Sequence, residues 1–185
     1  RTDLPLDDTG RAQALALARR LGGEPIDAVY SSPLQRARQT VAPLAAQRGL
    51  PVVPDERLWD IDYGAFQGLD RQEAVAAYPQ QYEAWLTTPG QVRLPRGESL
   101  GDVRDRLLAL LDELADQHRG QTVLLAGHQV VNKVLACTLL GLDLNRIWHV
   151  GQDTAAINVF QQVGGAWHIL RLNDTWHLKP ASSGD

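Results

Sequence analysis

Apolar positions along this chain follow two spacings in turn, and each change of spacing marks an element. Between Gly10 and Leu21 they recur every three or four residues (Ala14, Leu17, Ala18, Leu21), the signature of one helix face. Thr9 suits its N-cap and Gly22-Gly23 its stop. Ile26 to Tyr30 is a short apolar run of strand type. Ser32 then suits an N-cap and Pro33 a first helical position, with Leu34, Ala37, Val41, Leu44 and Ala45 facing inward as far as Arg48. Pro51 to Pro54 predicts a second strand, and Arg71 to Leu86 one or two short helices broken near Pro79. Ser99 followed by Asp102 has the form of a capping box. The helix behind it runs to His118 with Leu100, Val103, Leu107, Leu110, Leu111 and Leu114 on one face. Thr122 to Ala126 reads as a strand buried on both faces, and Val130 to Leu140 as a helix. Leu142 to His149 predicts a short helix or turn. Ala155–Gln161 and Trp167–Leu172 predict a hairpin turning at Gly164-Gly165.

Strands alternating with helices predict an α/β fold, a three-layer α/β/α sandwich around a mainly parallel sheet. No domain boundary, repeat or low-complexity stretch interrupts it. The expected organisation is one domain over residues 1–180 and a flexible polar tail over 181–185.

Composition narrows the function. With 44% apolar and 22% charged residues and a net charge of −4, nothing points to nucleic acid or an anionic membrane as a partner. The single cysteine, Cys137, lies inside an apolar helix and reads as core filling, which fits a cytoplasmic location. No apolar run has the length of a membrane span, and no signal peptide is visible. The chain contains no Met and begins at Arg1, so an incomplete gene product is expected.

Candidate chemistry gathers at three places. His128 stands where a buried strand ends and a helix begins; it is either a ligand-facing residue outside the sheet or merely a cap. Arg36 lies in the first turn of its helix, where a cation opposes the helix dipole. That placement makes sense if Arg36 meets an anion; the alternative is a surface arginine. Asp60 and Asp62 stand among Trp59, Ile61, Tyr63 and Phe66, a setting that suits a general acid, or equally a turn. The other histidines form no metal-ligand pattern, and Walker, GxSxG and HExxH motifs are absent, so no metal or cofactor is expected.

Taken together, several stretches resemble the histidine phosphatase superfamily, the phosphoglycerate-mutase-like fold. Asp3-Leu4-Pro5-Leu6 with Gly10-Arg11-Ala12-Gln13-Ala14 is similar to its D-x-P-L-T-x-x-G-x-x-Q-A segment. Ser31-Ser32-Pro33-Leu34, Arg36-Ala37 and Gln39-Thr40 resemble S-S-P-L-x-R-A-x-Q-T. Leu58 to Gly68 resembles its acid-bearing loop, Gly97-Glu98-Ser99 its G-E-S, and Gly127-His128 its second-histidine motif. Asp153-Thr154, Asn158-Val159 and Leu172 to Thr175 resemble its last two strands. There are departures. The acid is commonly Glu where this chain has Asp60, Ala126 and Gln129 replace the usual small residues around His128, and the R-H-G nucleophile motif would precede Arg1.

The resemblance implies metal-independent hydrolysis of small-molecule phosphate monoesters through a phosphohistidine. Arg36 and protonated His128 would offset phosphate charge and Asp60 would serve as acid, with Arg1, Tyr63 and the backbone of Gln129 as further substrate contacts. The short span from Gly68 to Gly97 favours a phosphatase over a mutase. Two alternatives stay open: mutase-type phosphoryl transfer, and an inactive phosphate-binding or regulatory protein. Exposed strand edges leave room for a homodimer.

Overall fold

The computed structural model describes residues 2–179. Arg1, expected at the substrate, and the expected tail over 181–185 lie outside the described residues.

Helix α1 (Asp8–Leu21) starts ahead of the predicted point because Asp7, not Thr9, caps it. The Asp7 carboxylate accepts the Gly10 N–H at 2.7 Å. Helix α2 (Gln35–Arg48) starts later than predicted, with Leu34 at the cap position and Pro33 outside the helix. Ser32 does not cap it; the Asp3 carboxylate instead accepts the Gln35 N–H at 2.7 Å.

Strands β1 (Ala28–Ser31), β2 (Val52–Pro54) and β3 (Val123–Ala126) form a parallel sheet in the order β2-β1-β3. Val29 lies opposite Val52 and Leu124, and Tyr30 opposite Val53 and Leu125. Side chains alternate across this sheet. Val29, Leu124 and Ala126 join Leu17, Ala18, Val41 and Leu44 of α1 and α2 in one core. Tyr30, Val123 and Leu125 pack on the opposite side against α5 (Leu100–Gln117) and α6 (Gln129–Leu139), whose stripes include Leu107, Leu110, Val131 and Val134. The result is the expected three-layer α/β/α arrangement. Cys137 is buried in α6, as core filling requires.

The segment from Gly68 to Gly97 holds two short helices, α3 (Arg71–Ala77) and α4 (Pro79–Thr87), broken at Tyr78 where Pro79 opens the second. Ser99 and Asp102 make the predicted capping box on α5: the Ser99 hydroxyl accepts the Asp102 N–H, and the Asp102 carboxylate accepts the Ser99 N–H.

Strands β4 (Ile157–Val163) and β5 (Ala166–Asp174) form the predicted hairpin, and Gly164 and Gly165 supply its turn with φ of 58° and 82°. They pair antiparallel as a separate two-stranded sheet beside the three parallel strands. Ile157 and Val159 nevertheless extend the α1/α2 core, while Phe160 and Trp167 extend the other. Among the described residues, no helix is long and apolar enough to cross a membrane.

Leu110 is fully buried between α5 and its neighbours, whereas Leu15 of α1 is 50% exposed. Leu110→Ala is expected to lower the unfolding free energy by about 2–5 kcal/mol. Leu15→Ala is expected to change it by less than about 0.5 kcal/mol. Urea melts with similar losses for both would contradict this core assignment.

Candidate active site

Ser31 and Ala126 are the last register partners of β1 and β3, so the two chains leave the sheet side by side. The Ser32 N–H donates to the Ala126 carbonyl at 2.8 Å. Two residues beyond Ala126, His128 takes the N-cap position of α6 with extended backbone. Its side chain makes no capping bond, so the capping alternative does not describe it. The imidazole is buried and turned towards β1, with Nε2 2.8 Å from Ser32 Oγ and Nδ1 3.7 Å from Asp60 Oδ2. Ser32 Oγ also accepts the Leu34 N–H at 3.3 Å, which fixes the hydroxyl that faces the ring.

Arg36 projects from the first turn of α2. Its Nη2 donates to Asp60 Oδ2 at 3.0 Å, and its Nη1 donates to the Thr2 carbonyl at 2.9 Å. Asp60 Oδ1 accepts the Ile61 N–H at 2.9 Å. Arg36, Asp60 and His128, far apart in sequence, therefore meet around one carboxylate oxygen. Asp60 is not surrounded by apolar groups alone, as its sequence neighbours suggested; a guanidinium faces it. The Arg36 and Asp60 side chains keep 31% and 23% of their surface, so solvent screens the pair and its contribution to stability is small.

Asp62 takes the turn role. Its Oδ1 accepts the Gly64 N–H at 2.9 Å, closing an Asx turn two residues beyond Asp60. Tyr63 lies on a cavity of about 250 Å³ with Thr2, Leu4, Arg36, Asp60, Ile61 and Gln67. Burial pushes the Tyr63 phenol up to about 12; the Asp60 charge adds to the rise and Arg36 opposes it. Gln129 sits next to His128, but its side chain is engaged elsewhere, donating to the Gln152 carbonyl at 2.7 Å. A larger cavity, about 360 Å³, lies where α1 and α2 end, lined by Gly22, Ile26, Gln47, Arg48 and Leu50. It holds none of the candidate residues. Among the described residues, no three His, Cys, Asp or Glu side chains gather as a metal site.

Sequence reasoning missed several participants. Ser32, fully buried, holds the His128 ring; its position at a strand end opposite Gly127-His128 was the available signal. Gln67 donates to Thr2 Oγ at 2.8 Å at the cavity rim. Gln152 is buried and ties α6 to the hairpin through Gln129 and Asn158. A lone amide carries no periodicity that could have marked it.

A profile of the histidine phosphatase superfamily (branch 1) matches residues 1–175. The chain belongs to the histidine phosphatase superfamily. Phosphoserine phosphatase 1 of Hydrogenobacter thermophilus is 36% identical over 176 residues, which span 95% of this chain and 83% of that protein. The metal-independent phosphoserine phosphatase of Arabidopsis thaliana is 32% identical over 94% of this chain and 72% of its own. Among solved structures, Bacillus stearothermophilus YhfR superposes with a TM-score of 0.91 at 29% identity, covering 96% of this chain and 88% of that one. A mutant phosphoserine phosphatase from Entamoeba histolytica in complex with phosphoserine gives 0.86 at 25% identity, over 96% of this chain and 88% of that one. As a member of this family, the protein is a phosphatase-type hydrolase.

The raised Tyr63 phenol yields a pH test. The folded protein holds this proton more tightly than the unfolded chain, whose phenol has the ordinary value of 10.0. Its stabilisation is therefore full below pH 10 and is lost as the pH rises towards about 12. Tyr63→Phe is expected to flatten the fall of stability across that window, read from urea melts at stepped alkaline pH. An unchanged slope would contradict the burial of the hydroxyl.

Proposed function

We propose that this protein is a metal-independent phosphatase of a small phosphate monoester, with phosphoserine the first substrate to test. Arg36, His128 and Asp60 are assigned as its catalytic residues. The reading is carried by the convergence of Arg36 and His128 on Asp60 Oδ2 beside a cavity of about 250 Å³. A guanidinium, an imidazole and one carboxyl at a single point suit a phosphate ester, whose oxygens need positive charge and whose leaving oxygen needs a proton. The cavity volume suits an ester of a short carbon chain. Names borne by relatives point the same way, since phosphoserine phosphatases from three organisms are similar to this chain.

In the proposed mechanism an imidazole attacks phosphorus in line. The proposed nucleophile is the histidine of the R-H-G motif that the family resemblance implies. The N–P bond forms as the ester P–O bond breaks, while the Arg36 guanidinium and protonated His128 hold the equatorial oxygens. Asp60 gives its proton to the leaving oxygen. Water then attacks the phosphohistidine and gives a proton to Asp60, which releases inorganic phosphate and restores both groups. Arg1, Tyr63 and the Gln129 backbone N–H are proposed as further substrate contacts. Ser32 keeps the His128 ring pointed at the phosphate. The span from Gly68 to Gly97, occupied mainly by α3 and α4, favours hydrolysis over mutase-type transfer.

The test is phosphate release from phosphoserine by the full-length gene product in the presence of a chelator. Turnover is expected to be unchanged by the chelator, and His128→Ala is expected to lower kcat/KM by about 10²–10³-fold. Full activity in His128→Ala, or abolition by chelation, would overturn the proposal.

A further inference from the structure

We propose that Glu98 and Arg106 are positioning residues that aim Asp60, a role that rests on Asp60 being the acid. Neither residue lines the cavity at Asp60. Asp60 belongs to an irregular segment flanked by the single turns Glu56–Leu58 and Gly64–Phe66, with no strand ladder to hold it. A carboxyl that must reach a leaving oxygen needs a fixed backbone, because a displacement of about 1 Å can cost about 10²-fold in rate.

The backbone is held from both sides by one ion pair. Downstream of Asp60, the Asp62 N–H donates to Glu98 Oε2 at 2.8 Å, and the Glu98 N–H donates to the Asp62 carbonyl at 2.9 Å. Upstream, Arg106 Nη1 donates to the Arg57 carbonyl at 2.5 Å. The two halves are joined, since Arg106 Nε donates to Glu98 Oε1 at 3.1 Å and Nη2 to Oε2 at 3.3 Å. A bidentate guanidinium–carboxylate pair fixes angle as well as distance. Arg106 is itself carried by α5, next to the core residue Leu107. The pair is mostly buried, with 16% and 19% of the side chains exposed.

A second contact locks the same loop. A Cβ on Gly64 would collide with the Pro95 carbonyl, and one on Gly97 with the Asp62 carbonyl. Ala65 N–H donates to Pro95 O at 2.7 Å across this approach. The loop can therefore shift relative to Glu98 only if the interlock and the ion pair both give way.

The test compares two esters in the full-length protein. An alkyl phosphate such as phosphoserine needs its leaving oxygen protonated, whereas nitrophenyl phosphate leaves with little help from an acid. Glu98→Gln keeps the acceptor for Asp62 N–H but removes the charge that orients Arg106. It is expected to lower kcat on phosphoserine by about 10–100-fold, with KM within about twofold and a much smaller loss on the aryl ester. Arg106→Lys should do the same, which guards against misfolding of one variant. With Asp60 already changed to Asn, Glu98→Gln should add almost nothing. Equal losses on both esters, full additivity with Asp60→Asn, or no loss in either variant would overturn the positioning role. An Asp60→Asn variant that is itself unselective between the esters would overturn the acid assignment, and the positioning role with it.

Discussion

The parallel pairing of β1 with β3 is the constraint from which the site follows. Its register puts Ser31 beside Ala126, so the segments that leave the sheet begin a few ångströms apart. Ser32 on one and His128 on the other are then near enough to bond, although 96 residues separate them. Burial does most of the holding. The layers on either side of the sheet meet the alternate faces of β1 and β3, and slipping the register by one residue would turn Val29 and Tyr30 to the wrong cores. The polar contacts above the sheet set direction on a frame that apolar packing has already fixed.

Charge at the site is arranged for use more than for stability. Arg36 and Asp60 are close yet partly solvated, so their pair contributes little to folding. A guanidinium near the start of a helix is poorly placed with respect to the dipole. Its position is sensible where an anion arrives from outside. His128 is the reverse case, a buried imidazole whose ring is held by a hydroxyl and faces a carboxylate. One centre thus combines a fixed imidazole with a guanidinium that solvent still reaches, a suitable division for binding and releasing a small phosphate.

Much of this was legible in the sequence where local rules act alone. The α5 capping box, the break at Pro79 and the Gly164-Gly165 hairpin each follow from two or three adjacent residues, and each formed as expected. Failures came where a distant residue competed for a backbone group. Ser32 looked like the α2 cap, but its hydroxyl is committed beside His128, and Asp3 takes the helix N–H instead. Asp60 and Asp62 looked alike in sequence. The fold separates them, giving one a guanidinium and the other a turn. Glu98 and Arg106 carry no sequence mark of their joint role, because the contact that gives it crosses from a loop to the middle of α5.

The central claim is that Arg36 and His128 act together on one phosphate. A double-mutant cycle on phosphoserine hydrolysis by the full-length protein tests it most directly, using Arg36→Ala, His128→Ala and the double variant. Groups that hold the same transition state are expected to be non-additive, with the double variant falling well short of the product of the two single losses. Strict multiplication of the two losses, or full activity in either single variant, would contradict the account.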